Sequence, residues 1–387
     1  MKLRALIPAA LLLGAIPVLG PSRASAQTNY LAFGDSITLG VGDDPARAQP
    51  GYPPRLQALL QSVGVSATVG NYGRGGEKTP EALLRIDGIL ALGKPGDTFL
   101  LMEGTNNVSQ SISLETTIAD LDTMAFRAEG LGMKVVHATV IPRPPNAKHD
   151  ADNTLTDQLN GRIRNLAGQR GRRLADPNEV FRNTPNLFSG FYSADPTDFV
   201  GHPNAAGYDI LARVFYNVIR NIDAVSPVPG VIIPATGTAN VKPDTNIQVD
   251  VWDFGTGIDL ANTFLLVNGQ VTAAVPQGNA LHAIFNYQPP TPLAGKVTLG
   301  LRSRDFATPP NAIDRQVATF TVRGSALQGD LNGDNRVDGM DLVLLALHFG
   351  ANQGDPTYDA TADLNADGHI DGLDLAILAA SFGQTKS

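Results

Sequence analysis

One serine near the start of the chain stands where a nucleophile is expected. Ser36 follows an apolar, strand-like run at residues 30–33 and ends the sequence Phe33-Gly34-Asp35-Ser36. A strand that turns into the next element exposes a side-chain oxygen at the rim of the sheet, where main-chain N–H groups stabilise negative charge. Three further clusters follow in order: Asn71-Tyr72-Gly73-Arg74-Gly75-Gly76, Gly104-Thr105-Asn106-Asn107 and Asp198-Phe199-Val200-Gly201-His202-Pro203-Asn204.

These four ordered blocks resemble the SGNH, or GDSL, hydrolase family over residues 27–224. The resemblance implies that Ser36 attacks an ester carbonyl, that His202 is its base, and that Asp198 is the acid behind the histidine. It also implies an oxyanion hole made of the Ser36 N–H, the Gly76 N–H and the Asn106 side-chain amide. The family fold is a flavodoxin-like, three-layer α/β domain.

Several of these assignments leave a neighbour open as an alternative. Asn107 stands where the family has an aspartate, and the usual family spacing would put the acid at Phe199. Among the six histidines, His137 lies in an apolar strand and His149 in a polar loop, while the others fall outside residues 27–224, so His202 is the predicted base. The alternatives are Gly73 or Gly75 for Gly76, Asn107 for Asn106, and Asp195 for Asp198.

The beginning of the chain is typical of a signal peptide. Residues 1–26 carry Lys2 and Arg4, an apolar core at residues 5–19, and a small-residue cleavage site. The core is short and interrupted by prolines, which disfavours a membrane span. We therefore expect a secreted or cell-surface-associated protein that does not span a membrane.

The charge of the chain is concentrated at its C-terminal end. The 387 residues carry a formal net charge of −8, and residues 326–387 alone contain ten aspartates against one arginine and one lysine. The remainder is neutral overall, which argues against a nucleic-acid partner because phosphate binding needs clustered basic residues. The chain has no cysteine, so it has neither disulfides nor zinc-thiolate sites.

Residues 27–224 alternate short apolar runs with amphipathic stretches, the pattern of a parallel sheet covered by helices on both faces. The predicted helices include residues 55–63, a helix capped at Thr79, and residues 205–219. Open α/β sheets hold ligands beyond the carboxyl ends of their strands, where the candidate residues lie. The predicted strands are residues 30–33, 67–71, 98–102 and 134–140.

A proline-rich stretch at residues 226–230 separates this part from a region with a period of two. Asn268-Gly269 between apolar runs is a strong hairpin signal. Residues 225–325 resemble a bacterial immunoglobulin-like β-sandwich, in which we expect Trp252 to be a core residue or, second, a carbohydrate-stacking platform.

The acidic end of the chain repeats with a period of 33 residues. Each repeat is a twelve-residue loop with oxygen side chains at positions 1, 3, 5, 9 and 12, followed by a helix at residues 342–349 or 375–382. This spacing suits Ca²⁺, and residues 326–387 resemble a type I-like dockerin, which implies a cohesin-bearing partner. The predicted ligands are Asp330, Asn332, Asp334, Asp338 and Asp341 with the carbonyl of Arg336, and Asp363, Asn365, Asp367, Asp371 and Asp374 with the carbonyl of His369.

The sequence thus predicts a secreted serine esterase with two structural calcium ions in its dockerin and no cofactor for catalysis. Export and a docking module favour acetyl or other acyl esters of a polysaccharide or glycan as substrate. The alternatives are a lipid or short-chain carboxylester hydrolase, and a non-catalytic surface or assembly protein.

Overall fold

The computed structural model describes residues 27–145, 147–184, 186–195, 198, 201–322, 327–365 and 367–385. The signal peptide predicted at residues 1–26 lies outside them. Within the described residues, no helix combines the length and the apolar character that a membrane crossing requires.

The N-terminal part is built on a five-stranded parallel sheet with strand order β2-β1-β3-β4-β5, the order of flavodoxin-like doubly wound folds. Four strands were predicted, although β4 ends at Ala138 rather than at residue 140. The fifth is only three residues long, too short to give a periodic signal. The strands are β1 (Thr28–Gly34), β2 (Ala67–Gly73), β3 (Thr98–Met102), β4 (Lys134–Ala138) and β5 (Arg173–Ala175).

Nine helices of the described residues connect and flank these strands. They are α1 (Ser36–Leu39), α2 (Tyr52–Ser62), α3 (Thr79–Leu90), α4 (Thr105–Ser109), α5 (Leu114–Gly130), α6 (Ala147–Arg170), α7 (Pro177–Arg182), α8 (Leu187–Gly190) and α9 (Ala205–Ile219). Buried side chains of α2 and α9, such as Leu56 and Phe215, form one core with the sheet. Side chains of α3 and α5, such as Ile86 and Leu121, form a second core on the other face. The α/β prediction is therefore confirmed.

Three predictions about these helices need correction. Helix α2 begins at Tyr52 instead of residue 55, because prolines fit a first turn whose N–H groups need no partner. Thr79 is the first residue of α3, and Lys78 is its N-cap. His149 lies within α6 and is buried, with Nδ1 2.6 Å from the Pro144 carbonyl oxygen, and so is not in a polar loop.

Residues 228–321 form two antiparallel four-stranded sheets, with orders β10-β11-β7-β6 and β13-β12-β8-β9. Both sheets contribute to one apolar core, which includes Val249 and Phe285 from the first and Leu299 and Phe320 from the second. The predicted hairpin at Asn268-Gly269 joins β8 to β9, and both turn residues have positive φ. The immunoglobulin-like assignment stays a prediction. The strands are β6 (Val228–Ile233), β7 (Ile247–Trp252), β8 (Phe264–Val267), β9 (Gln270–Val271), β10 (Gln277–Gly278), β11 (His282–Tyr287), β12 (Lys296–Arg304) and β13 (Ala312–Thr321).

The first of these sheets packs against α6. Trp252 is buried, stacks on His282 with ring centroids 3.7 Å apart, and donates from Nε1 to Asn165 Oδ1 over 2.7 Å. The Asn165 amide in turn donates to Asp250. Trp252 is therefore a packing residue between α6 and the β-sheets, in agreement with the first of its two predicted roles.

The C-terminal part contains two helices, α10 (Gly339–His348) and α11 (Gly372–Ser381). Each begins three residues earlier than predicted, because Asp338 and Asp371 act as N-caps and form capping boxes with Asp341 and Asp374. The last three positions of each acidic loop therefore belong to the first turn of a helix.

Candidate active site

The structure brings Ser36, His202 and Asp198 into one hydrogen-bonded chain. His202 Nε2 lies 2.8 Å from Ser36 Oγ, and His202 Nδ1 lies 2.8 Å from Asp198 Oδ1. Because the carboxylate holds the proton on Nδ1, Nε2 accepts from the serine hydroxyl and can take its proton. This is the arrangement that activates a hydroxyl for attack on a carbonyl carbon.

Asp198 rather than Asp195 occupies the position behind the imidazole. Besides the bond from Nδ1, the Asp198 carboxylate accepts the backbone N–H groups of His202 and Gly201 at 2.7 and 3.0 Å. Asp195 is an exposed residue, and its carbonyl oxygen accepts the Asp198 N–H. An aspartate four residues before the histidine thus lies within hydrogen-bond distance of the imidazole.

The environment keeps the Asp198 carboxylate charged. Burial acts to raise its pKa, but the hydrogen bond from the His202 backbone, the imidazole charge and the Gly201 N–H outweigh burial and lower the pKa below its usual value. A carboxylate that stays ionised can stabilise the imidazolium formed when the histidine takes a proton.

Ser36 is positioned by the turn between β1 and α1. Asp35 is the N-cap of this short helix, and its carboxylate accepts the Ile37 N–H over 2.9 Å. Ser36 is consequently the first helical residue at the carboxyl end of the sheet, as the apolar run before it predicts. The residue is buried, at 6% exposed, and so is less accessible than a side chain exposed at the rim of the sheet.

The three candidate oxyanion donors belong to segments that are joined to one another. Arg74 N donates to Gly34 O over 2.9 Å, which holds the segment after β2 beside β1, and Asn106 Nδ2 donates to Glu77 O over 2.8 Å. Gly76 has a φ of +73°, which favours glycine. Within the described residues, the Gly76 N–H donates to no protein group.

Asn107, the alternative to Asn106, forms hydrogen bonds within the protein core. It is fully buried, its Oδ1 accepts the Thr79 N–H, and its Nδ2 donates to the hydroxyls of Thr79 and Thr117 at 2.7 and 2.8 Å. Because both amide hydrogens are used, this side chain has no donor left for a substrate. It joins the first turn of α3 to α5, and an aspartate could not donate to the two hydroxyls.

Sequence reasoning missed a buried ion pair behind the Asn106 turn. Arg143 pairs with Asp152 and donates to the Thr105 carbonyl oxygen over 2.7 Å. The local sequence around Arg143 does not predict this role, because its partners lie in other elements, Thr105 between β3 and α5 and Asp152 in α6. Its guanidinium orders the backbone from which Asn106 projects.

The two acidic loops of the C-terminal part have similar internal hydrogen bonds. In the first, the Asp330 carboxylate accepts the N–H groups of Gly333 and Asn335, and Asn332 Nδ2 lies 3.1 Å from Asp334 Oδ2. In the second, Asp363 accepts the Asp367 and Gly368 N–H groups, and Asn365 Nδ2 lies 2.8 Å from Asp367 Oδ2.

The last predicted ligand of each loop is buried and points back into the loop. Asp341 Oδ1 accepts Leu331 N and Asp374 Oδ1 accepts Leu364 N, both over 2.7 Å. The loops thus gather oxygen side chains in a form that suits a hard divalent cation.

Comparisons with known proteins match two parts of the chain to known families. Residues 32–210 match the GDSL-like Lipase/Acylhydrolase family, and residues 328–382 match the Dockerin type I domain. The search of curated proteins found no match.

Several solved structures resemble part of the chain. A member of the lipolytic protein G-D-S-L family from Veillonella parvula is 18% identical with a TM-score of 0.42, covering 50% of this chain and 98% of that one. An acetylxylan esterase from Geobacillus stearothermophilus is 22% identical with a TM-score of 0.41, covering 50% and 94%. A lipase/acylhydrolase from Enterococcus faecalis is 19% identical with a TM-score of 0.40, covering 50% and 95%. By its family match, residues 32–210 form a serine ester hydrolase domain of the GDSL-like lipase/acylhydrolase family, and residues 328–382 form a type I dockerin domain.

Proposed function

We propose that this protein is a secreted esterase that removes acetyl or other short acyl groups from a polysaccharide or glycan. The observation that carries the proposal is the hydrogen-bonded chain from Ser36 through His202 to Asp198, with 2.8 Å on each side of the imidazole. Its domains are residues 27–224 for the hydrolase, 225–325 for the β-sandwich and 326–387 for the dockerin.

In the first step, Ser36 Oγ attacks the ester carbonyl carbon while His202 Nε2 takes the hydroxyl proton. Asp198 stabilises the imidazolium that results. His202 then gives this proton to the leaving alcohol oxygen, and the acyl group stays on Ser36. In the second step, water attacks the carbonyl carbon of the acyl-enzyme and His202 takes its proton. His202 then gives this proton to Ser36 Oγ as the bond to the acyl group breaks, which releases the acid and regenerates Ser36.

The negative charge that develops on the carbonyl oxygen is met by three donors, the N–H groups of Ser36 and Gly76 and the Asn106 amide. Asn106 supports this role because its hydrogen bond to Glu77 O fixes the amide next to Gly76, while one amide hydrogen remains for the substrate. Removal of one such donor typically costs about 2.7–4 kcal/mol of transition-state stabilisation.

A polar rim beside the oxyanion donors favours a hydrophilic alcohol such as a sugar. Asn71, Arg74 and Gly75 are exposed on the segment that carries Gly76. If the leaving alcohol is a sugar, these side chains could form hydrogen bonds with the neighbouring hydroxyl groups of that sugar. The exposed Leu39, at the end of α1, offers a small apolar contact suited to a short acyl group.

Type I dockerin domains bind calcium, and we propose one ion in each of the two acidic loops. The residues fit, since each loop presents the same five oxygen side chains and converges on a buried Asp341 or Asp374. Calcium would supply charge neutralisation for the clustered aspartates. We place no calcium in the catalytic steps.

The same domain supports a cohesin-bearing partner. Apolar side chains at equivalent positions in α10 and α11 and directly after them are solvent-exposed, with Met340 and Leu373 each 59% exposed and Phe349 and Phe382 51% and 53% exposed. This symmetric pair of apolar surfaces has the composition of a protein-binding site. Secretion, which the signal peptide predicts, would bring the enzyme and such a partner together.

The proposal is tested with wild type and Ser36→Ala on p-nitrophenyl acetate, a long-chain p-nitrophenyl ester and acetylated xylan. Ser62→Ala, on the exposed side of α2, is the matched serine control. We expect wild type and Ser62→Ala to release acetate from xylan, and Ser36→Ala to be inactive. Faster turnover of the long-chain ester would indicate a lipid ester hydrolase instead, and no hydrolysis of any ester would indicate a non-catalytic protein.

A further inference from the structure

Three carboxylates outside the active site meet where the hydrolase domain joins the β-sheets. Asp223 lies in the connection after α9, Asp253 follows β7 in one sheet, and Asp305 follows β12 in the other. Each offers an oxygen atom, and these atoms all lie within 4.8 Å of one another. Three aspartates this close repel one another unless something positive lies between them.

Asp253 shows that the cluster lacks a partner. The residue is 3% exposed, and its Oδ1 accepts the N–H groups of Gly255 and Gly257 at 2.8 and 2.9 Å. Its other oxygen, Oδ2, is buried and has no hydrogen-bond partner within the described residues. A buried acceptor of this kind needs a proton or a cation.

The loop around Asp253 is shaped to bring Asp223 close. Thr256 N donates to Asp223 Oδ2 over 2.6 Å, and a Cβ atom on Gly255 would lie 2.2 Å from Asp223 Cγ. Asp305 is held by the Asn311 backbone and side-chain amides at 2.8 and 2.6 Å. In the described part of the chain, none of the three carboxylates forms an ion pair with lysine or arginine.

We propose that Asp223, Asp253 and Asp305 bind a hard divalent cation of the calcium class. Ca²⁺ takes oxygen ligands at about 2.3–2.6 Å, so two ligand atoms of one ion lie at most about 5 Å apart, which matches the cluster. The ion ties the connection after α9 to both β-sheets. It is distinct from the dockerin ions and stabilises the junction of the first two domains.

Terbium luminescence tests this site selectively, because Trp252 is the only tryptophan of the chain and immediately precedes Asp253. The protein is the full chain with Asp330→Ala and Asp363→Ala, which remove the first ligand of each dockerin loop. Excitation where tryptophan but not tyrosine absorbs should give sensitised terbium emission that calcium displaces. Asp253→Asn should abolish the emission, and Asp244→Asn, at an exposed aspartate in the turn before β7, should leave it unchanged.

Thermal melting of the same proteins gives an independent readout. We expect calcium to raise the Tm of the parent and of Asp244→Asn above their values in chelator, and to leave Asp253→Asn unchanged. Asp223→Asn, at a partly exposed position, replaces Asp253→Asn if that variant does not fold, and should likewise lose the emission and the calcium response. The proposal is overturned if the parent shows neither tryptophan-sensitised emission nor a calcium-dependent Tm, or if the aspartate variants keep both.

Discussion

Replacement of Asp198 by asparagine tests the catalytic assignment most directly. The side chains of His202 and Asp198 are 9% and 10% exposed, and His202 Nδ1 lies 2.8 Å from Asp198 Oδ1. For unit charges about 4 Å apart at an effective dielectric constant of about 20, the attraction is about 4 kcal/mol, which corresponds to roughly 10³ in rate. Asparagine at position 198 also favours the wrong tautomer of the His202 imidazole, which raises the expected loss in rate toward about 10⁴.

The assay is steady-state hydrolysis of p-nitrophenyl acetate by wild type, Asp198→Asn and Asp195→Asn. We expect Asp198→Asn to lower kcat by about 10³–10⁴ with little change in KM, because Asp198 contacts His202 and not the substrate. Asp195→Asn, at an exposed position three residues away, should stay within about twofold of wild type, as for surface substitutions in general.

A thermal melt of each variant separates loss of catalysis from loss of fold. The reasoning would be refuted by a loss of less than about tenfold for a folded Asp198→Asn protein, since the charge interaction alone predicts about 10³. A larger loss for Asp195→Asn would assign the acid to that residue.

Four further outcomes are expected. Ser36→Ala should remove covalent labelling by an organophosphonate, read by peptide mass mapping, while its Tm stays near that of wild type. Asn107→Ala removes three buried hydrogen bonds and leaves the Thr79 N–H without its acceptor, so it should lower the free energy of unfolding by about 3 kcal/mol in urea titrations. Burial, then the Arg172 charge, lowers the pKa of His137 to about 3, so His137 stays neutral in the native state at pH values where it binds a proton in the unfolded state. The free energy of unfolding should therefore fall as the pH drops from about 6.5 toward 3, by up to about 1.4 kcal/mol per pH unit. His137→Gln should flatten this pH dependence in urea titrations. Asp330→Ala and Asp363→Ala should each lower the calcium stoichiometry of the full chain by one in calorimetry.

Features with a local cause were predictable from the sequence. Helix α9 spans residues 205–219 as predicted, because Asn204 caps it and accepts the Gly207 N–H over 3.1 Å. The turn at Asn268-Gly269 needs two residues with positive φ, which this dipeptide adopts readily. The position of Ser36 after a strand follows from the apolar run before it, whereas its predicted role as nucleophile depends on the four ordered blocks.

Features that depend on contacts distant in sequence were not predictable. Three glycines and two asparagines compete for the oxyanion roles in the sequence, and contacts in three dimensions distinguish the two asparagines. Asn107 has both amide hydrogens bound to threonines of other elements, whereas Asn106 faces the segment of Gly76. In the same way, the choice between Asp195 and Asp198 depends on which carboxylate lies beside His202 in three dimensions. The spacing of the residues in the sequence does not decide this.

The relation between the hydrolase domain and the β-sheets is another consequence of distant contacts. Helix α6 carries polar residues on the face that meets the sheets, so its pattern lacks the amphipathic signal of a surface helix. Arg164 illustrates the reason, since it is buried, pairs with Asp176 over 2.7 Å and donates to the Pro229 carbonyl oxygen of β6 over 2.9 Å. A buried guanidinium that loses one of these partners is costly. The β-sheets therefore supply a hydrogen-bond acceptor for α6, the helix that packs against the parallel sheet of the hydrolase domain. Through this contact they stabilise the hydrolase fold.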